Sequence, residues 1–369
     1  MDEESRALLC LSLTKGIGTA TYRRLLERFG SASVILNTQR ADLADTPGIG
    51  TRLADQLVRA RDQVDVYVDK ELALAQEHGV SIITCTDKRY PQNLGSIYDP
   101  PLVLYVKGET SPGDVLSMAV VGARRCTHYG QSQSKRLARL LGQSGFTIVS
   151  GLARGIDTAA HQGALEAGAR TIAVMGCGLG RVYPRENREL SERVSCQGAV
   201  VSELPMLTPP TEKNFPPRNR LISGLSLGVV VVEAAHRSGA LITAHWALEQ
   251  GKEVFAVPGQ VDNPYSRGAH KLIKEGAKLV EDVSDIIEEL GPLAETLCTD
   301  EKGEIQDPRS LALNTQEKKV FALLSSQPKT IDEITEESQL PVSNVASTLM
   351  ILEIRKLTKQ LSGKRFVKS

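Results

Sequence analysis

Residues 147–176 read TIVSGLARGIDTAAHQGALEAGARTIAVMG. Two short apolar runs, TIVSG (147–151) and TIAVMG (171–176), enclose a stretch, TAAHQGALEAG, whose small apolar residues recur at helical spacing. A continuous Val- and Ile-rich run between turn residues suits a strand buried on both faces, so the segment reads as strand, helix, strand. The unit recurs outward from here. MAVVG (118–122) precedes the helical HYGQSQSKRLARLLGQSG, and AVVSE (199–203), GVVVVEA (228–234), EVFAVPG (253–259) and KLVED (278–282) follow. Repeated strand–helix units imply a parallel sheet with right-handed crossovers. The expected fold class is α/β, an extended Rossmann-like parallel-sheet domain over residues 80–292.

Two different regions flank that domain. Residues 1–75 carry LLCLSLTKGIGTATYRRLLERFG and ADLADTPGIGTRLADQLVRARD, each a helix, a Gly-Ile-Gly turn and a second helix. Glycines permit the tight turn, and the helix that follows opens with free N–H groups. The pair is similar to helix-hairpin-helix (SAM-like) units, which hold DNA phosphates at that helix start. A small bundle with purely structural hairpins is the competing reading, and is slightly favoured because the segment has no strong basic excess. After a polar linker, TDEKGEIQDPRS, residues 311–369 open with a helix start at Asn314-Thr315-Gln316-Glu317. Two more helical stretches and a short hairpin turning at Ser362-Gly363 complete a winged helix. Such domains bind DNA through the third helix or serve as interaction modules, and the slight basic excess here does not choose between the two.

Composition narrows the function. A chain of 369 residues exceeds one ordinary core, in keeping with several domains. Lys plus Arg and Asp plus Glu number 44 each, so nucleic-acid binding would have to come from a local basic patch and not from bulk charge. Aromatic residues make up only 4%, which makes each exposed ring informative. The six cysteines are scattered without a C-x-x-C pair, which signals neither a zinc ribbon nor a dithiol site and fits a reducing cytoplasm. The acidic start MDEESRALLC is unlike a signal peptide, and no apolar run approaches the ~20 residues of a membrane span. No metal site, cofactor or membrane partner is expected.

The glycine-rich turns fall where the strands of an open parallel sheet end, the place where such sheets bind ligands. They are V-G-A-R-R (121–125), S-G-L-A-R-G-I-D (150–157), M-G-C-G-L-G (175–180), S-G-A-L-I-T-A (238–244) and V-P-G (257–259). Arg124, Arg125, Arg154, Arg181 and Arg185 accompany them, a combination that suits phosphate. Gly176-Cys177-Gly178-Leu179-Gly180 lacks the spacing of G-x-G-x-x-G and lies on a later strand, and no G-x-x-x-x-G-K-[ST] occurs, so dinucleotide and P-loop sites are disfavoured.

The most specific stretch is KNFPPRNRLISGLS (213–226). Pro216-Pro217 predict an extended approach with a helix from about Arg218, and Phe215 becomes a positioned ring beside arginines, a base-stacking platform with phosphate clamps. Phe215 and Arg218 are expected to contact the ligand, and Arg220 to pair with Glu203 or Glu233. Asp157 and His161, four apart on a helix, are expected to bond each other locally and not to form a catalytic or metal pair.

These strings, together with VVVEAAHRSGALITAHWALEQGKEVFAVPG and GAHKLIKEGAKLV, resemble in order and spacing the motifs of the DNA-processing protein A (DprA/Smf) family over roughly residues 120–282. The flanking domains resemble that family's as well. The resemblance implies a dimeric, ATP-independent, non-enzymatic cytoplasmic protein. It would bind single-stranded DNA, protect incoming DNA during natural transformation and load the RecA recombinase. It also carries a DNA pocket onto Arg124, Ser150, Gly151, Arg154, Arg185, Lys213, Phe215, Arg218 and Asn219. Two readings compete. One is a nucleotide or nucleoside-monophosphate hydrolase on the same fold using Glu233 or Glu249, although the P-G-G-x-G-T-x-x-E string of such enzymes is missing. The other is a transcription factor reading duplex through the winged helix.

Overall fold

In the computed structural model the described residues are 1–296, 315–325, 328–354, 357–361 and 365–368. The linker at 299–310, Asn314 and the Ser362-Gly363 turn lie outside them.

The chain opens with six helices: α1 (Glu3–Leu13), α2 (Thr19–Phe29), α3 (Ala32–Asn37), α4 (Arg40–Ala44), α5 (Gly50–Asp62) and α6 (Val64–Glu77). Asp2 caps α1 by accepting the Ser5 N–H at 2.7 Å. Gly16 and Gly48 hold φ of 92° and 80°, the left-handed backbone that the two hairpin turns demand. The helix after the first turn is tied to the sheet domain. Thr19 donates its hydroxyl to Pro100 O (2.9 Å), and Arg23 donates to Tyr98 O (2.7 Å) while stacking over the Tyr98 ring. Buried Leu8, Leu25, Ile35, Leu43 and Leu57 form one apolar cluster with Tyr105, Leu152, Met175 and Met206, so the helical core runs on into the sheet.

The sheet has nine strands: β1 (Val80–Thr84), β2 (Val103–Gly108), β3 (Ser117–Val121), β4 (Thr147–Ser150), β5 (Thr171–Val174), β6 (Ala199–Ser202), β7 (Gly228–Val231), β8 (Glu253–Ala256) and β9 (Lys278–Leu279). Their spatial order is β1-β2-β6-β5-β4-β3-β7-β8-β9. The helices between them are α7 (Gln92–Gly95), α8 (His128–Gln143), α9 (Ile156–Glu166), α10 (Arg188–Gln197), α11 (Phe215–Gly224), α12 (Gly239–Glu249) and α13 (Arg267–Lys274), and α14 (Val283–Thr296) follows the last strand. All seven expected strands are present, and β3 to β8 bury nearly every residue. The sheet is not purely parallel. β1 and β2 were not foreseen, and they pair antiparallel with each other and with β6. β9 is a two-residue exposed edge and not a buried run. β3 pairs in parallel with both β4 and β7, so the strand order reverses there and opens a crevice at the strands' carboxyl ends.

The C-terminal region has three helices, Thr315–Ala322, Ile331–Ser338 and Val342–Ile354, and a small antiparallel sheet. Its strands β10 (Lys329–Thr330), β11 (Thr358–Leu361) and β12 (Arg365–Lys368) lie in the order β10-β12-β11, the winged-helix arrangement. Thr330 and Glu333 form a capping box, and Val320, Ile334, Leu349, Leu352 and Phe366 build a separate core. Among the described residues no helix is long and apolar enough to cross a membrane.

Candidate nucleic-acid interface

The turns after β3, β4 and β5 converge on the start of α11. Pro216 and Pro217 occupy the first turn of α11, where a missing N–H costs nothing. The helix therefore begins at Phe215, three residues before the expected start, and the prolines set a helix start in place of an extended approach. That geometry lays the Phe215 ring on Gly176, where a Cβ would come within 2.6 Å of the ring, so the backbone after β5 can approach it only without a side chain. The Arg124 guanidinium covers the ring at 4.9 Å from its centroid. Tyr183 stands beside it at 5.7 Å and 34°, an aromatic neighbour the sequence reading did not select. Its signal was available: a ring in an aromatic-poor chain, followed by Pro184 and flanked by Arg181 and Arg185.

Arg218 differs from expectation. It is 5% exposed and donates to Gly151 O (2.7 Å), Val174 O and Asn219 Oδ1 (3.2 Å). Burial draws its guanidinium down to about 10, opposed by nearby Asp157. Asp157 accepts the Gly151 and Ala153 N–H groups at 3.2 and 3.3 Å, and burial pushes its carboxyl up to about 6 against the pull of Arg218. Arg218 is thus an internal prop that ties the ends of β4 and β5 beneath the Phe215 ring.

The expected residues separate into two layers. Ser150 is fully buried, its hydroxyl donating to Val120 O (2.7 Å). Gly151 offers its carbonyl to Arg218, and Asn219 donates to Gly239 O (3.1 Å), tying α11 to the start of α12. These three and Arg218 form the underside. Arg124, Arg154, Arg185 and Lys213 are exposed and Phe215 is half-buried, and together they form the open rim. Arg154 is held by Glu186 in a surface ion pair, a contact that solvent screens and that an incoming anion can replace. A crevice of about 520 Å3 continues from Arg124 and Phe215 past Asn219 to Arg237 and Ser238, at the point where the strand order reverses.

Other assignments resolve at the same ends. Arg220 pairs with Glu203 (2.6 Å), as expected, and with Asp99 (2.9 Å). Asp157 and His161 do not bond each other. His161 Nδ1 meets Thr171 Oγ1 at 2.8 Å, and burial forces its imidazole down to about 3, so it is neutral. Glu233, the acid/base offered by the hydrolase reading, accepts the Thr127 N–H (2.8 Å) and hydroxyl (2.6 Å) at the start of α8, where it acts as a helix-terminal anion. The Gly176–Gly180 turn also faces protein. Gly178 N–H donates to Thr208 O and Gly180 N–H to Met206 O, each at 3.0 Å, which leaves those groups unable to cradle a dinucleotide. Met206 N–H in turn donates to Glu71 Oε1 of α6 at 2.6 Å.

Residues 81–291 match the DNA recombination-mediator protein A family, residues 305–364 the DprA winged helix domain, and residues 10–62 the SAM-like helix-hairpin-helix tandem. The chain is 32% identical to a Synechocystis protein named Smf, covering 99% of each. It is 42% identical to the DNA processing protein DprA of Bacillus subtilis over 70% of this chain and 91% of that one. An X-ray structure of DNA processing protein A from Streptococcus pneumoniae superposes with a TM-score of 0.68 at 36% identity, covering 78% of this chain and 99% of that one. The Helicobacter pylori protein, described for its single-stranded DNA binding mode, superposes with a TM-score of 0.52 at 31% identity over 58% and 96%.

Proposed function

Because the chain belongs to the DNA recombination-mediator protein A (DprA/Smf) family, we propose that it binds single-stranded DNA without reading its sequence. The observation that carries the reading is the Phe215 ring, propped from below by Arg218 and covered by the exposed Arg124. A cation resting on an exposed ring face is weakly held, so Arg124 can swing to a phosphate while a base takes its place. In this reading Arg124, Arg154, Arg185 and Lys213 neutralise phosphates, Phe215 and Tyr183 stack bases, and Ser150, Gly151, Arg218 and Asn219 hold the rim in place. The family kinship and the Helicobacter pylori relative's described binding mode support a DNA-binding role over catalysis. The remaining parts of the proposal are action as a homodimer in the cytoplasm, protection of incoming DNA during natural transformation, and delivery of the strand to RecA.

Gel shifts with single- and double-stranded DNA over a salt series test this. Single strands of any sequence should bind more tightly than duplex. Arg124→Ala should weaken binding to all sequences alike and reduce the slope of log affinity against log salt by about 0.7, one single-strand phosphate. A duplex consensus, or Arg124→Ala binding as the parent does, overturns the assignment.

A further inference from the structure

A second cavity opens at the Pro205–Thr208 loop and shares no lining residue with the rim crevice. It measures about 680 Å3, is bounded by the end of α1, one face of α5, one face of α6 and the Pro205–Thr208 loop, and opens to solvent on its remaining side, within the size range of small-ligand sites. Lys15, Arg59 and Lys70 line it, and none of them makes an ion pair among the described residues. Two acids, Asp62 and Glu71, line the same wall. On α5, Asp55 pairs with Arg40 and Asp62 with Arg61. On α6, Asp65 and Asp69 pair with Arg6, and Glu71 accepts the Met206 N–H. Three cations face two carboxylates there, of which Asp62 is already paired with Arg61, so the wall keeps an excess of positive charge in a chain with zero formal charge.

The rest of the wall is not a plain anion site. Tyr67 borders the cavity with half its surface exposed, although solvent-facing positions of a helix ordinarily carry polar residues. Gln56 and Gln63 also line it, and neither amide is hydrogen-bonded among the described residues. An amide offers a donor and an acceptor side by side, the pairing that the edge of a nucleobase presents. A ring for stacking, amides for a base edge and cations for phosphate are the three components of a nucleoside phosphate site.

We propose that this cavity binds a nucleoside 5′-phosphate, with the base beside Tyr67 and the amides and the phosphate on Lys15, Arg59 and Lys70. The site is separate from the DNA rim, and the proposal stands whether or not the rim binds DNA.

Isothermal titration of the full chain with AMP, GMP, CMP and UMP tests it. At least one should bind saturably. Lys15→Ala/Arg59→Ala should weaken that binding at least about tenfold, the scale of losing one charge-assisted contact. Tyr67→Ala should weaken it as well, and Phe215→Ala should leave it unchanged. Lys15, Arg59 and Tyr67 are exposed, so the variants should melt with the parent. Binding lost in Phe215→Ala and kept in the double variant would place the nucleotide at the rim and overturn the proposal. So would the absence of saturable binding by any of the four, or Lys15- and Arg59-dependent capture of polyglutamate where no nucleotide binds.

Discussion

Replacing Arg218 by alanine would leave the Gly151 and Val174 carbonyls without their donor and the buried Asp157 carboxyl without its cation. Leaving a buried acceptor unsatisfied costs about 1–3 kcal/mol, so Arg218→Ala, which strands two, should lose stability on at least that scale in urea unfolding. Unchanged stability with lost DNA binding would return Arg218 to direct phosphate contact. Phe215→Ala belongs to the other class. It should cost about 1–3 kcal/mol of single-strand affinity, similar at low and high salt, because a stack is not screened as an ion pair is. Tyr183→Ala should weaken binding in the same salt-independent way, and a loss that grows at low salt would instead mark an electrostatic role. The motif FPPRNR pointed to both Phe215 and Arg218. It could not separate them, because a one-dimensional string does not say which face of a helix start meets strand ends. The assignment depended on two carbonyls that precede Arg218 by many residues.

Helix α9 carries two buried titrating groups one turn apart, with opposite shifts. The Asp157 carboxyl is raised from 3.8 to about 6, so between those values the folded state holds the extra proton and stability falls as pH rises. The His161 imidazole is lowered from 6.5 to about 3, so from about pH 3 to 6.5 the unfolded state holds the extra proton and stability rises with pH. Across the shared window from about 4 to 6 the two slopes oppose each other. Asp157→Asn should make stability climb more steeply with pH there, and His161→Gln should make it climb less steeply or fall. Denaturation midpoints measured across that window check the signs, and parallel profiles in all three proteins would refute the pairing of effects. The strands legible in the sequence belong to the repeated strand–helix units. The runs of β3 to β8 are apolar on both faces and announce themselves. β1 is a five-residue run interrupted by the exposed Ser81, and β2 carries it antiparallel onto the distant β6, a pairing that no local pattern encodes.

At the scale of the whole molecule, neutral formal charge confines phosphate affinity to local clusters of cations, of which the rim is the one proposed for DNA. All the rim residues lie in the sheet domain, so deleting the chain after about residue 310 should leave most single-strand binding intact. Near-complete loss in a folded truncation would move the primary site to the winged helix. The other terminus is a different matter. Met206 is held on one side by Glu71 of α6, and the Pro205–Thr208 loop holds the Gly176–Gly180 turn on the other, directly beneath Phe215. A domain exchange cut at residue 78, where composition and strand onset invite it, would sever the Glu71–Met206 contact while keeping every rim residue. The two partners are 135 positions apart in the chain, so a chimaera joined there would need an incoming helix with a carboxylate at the same height, or the floor under the ring would lose its outer fastening.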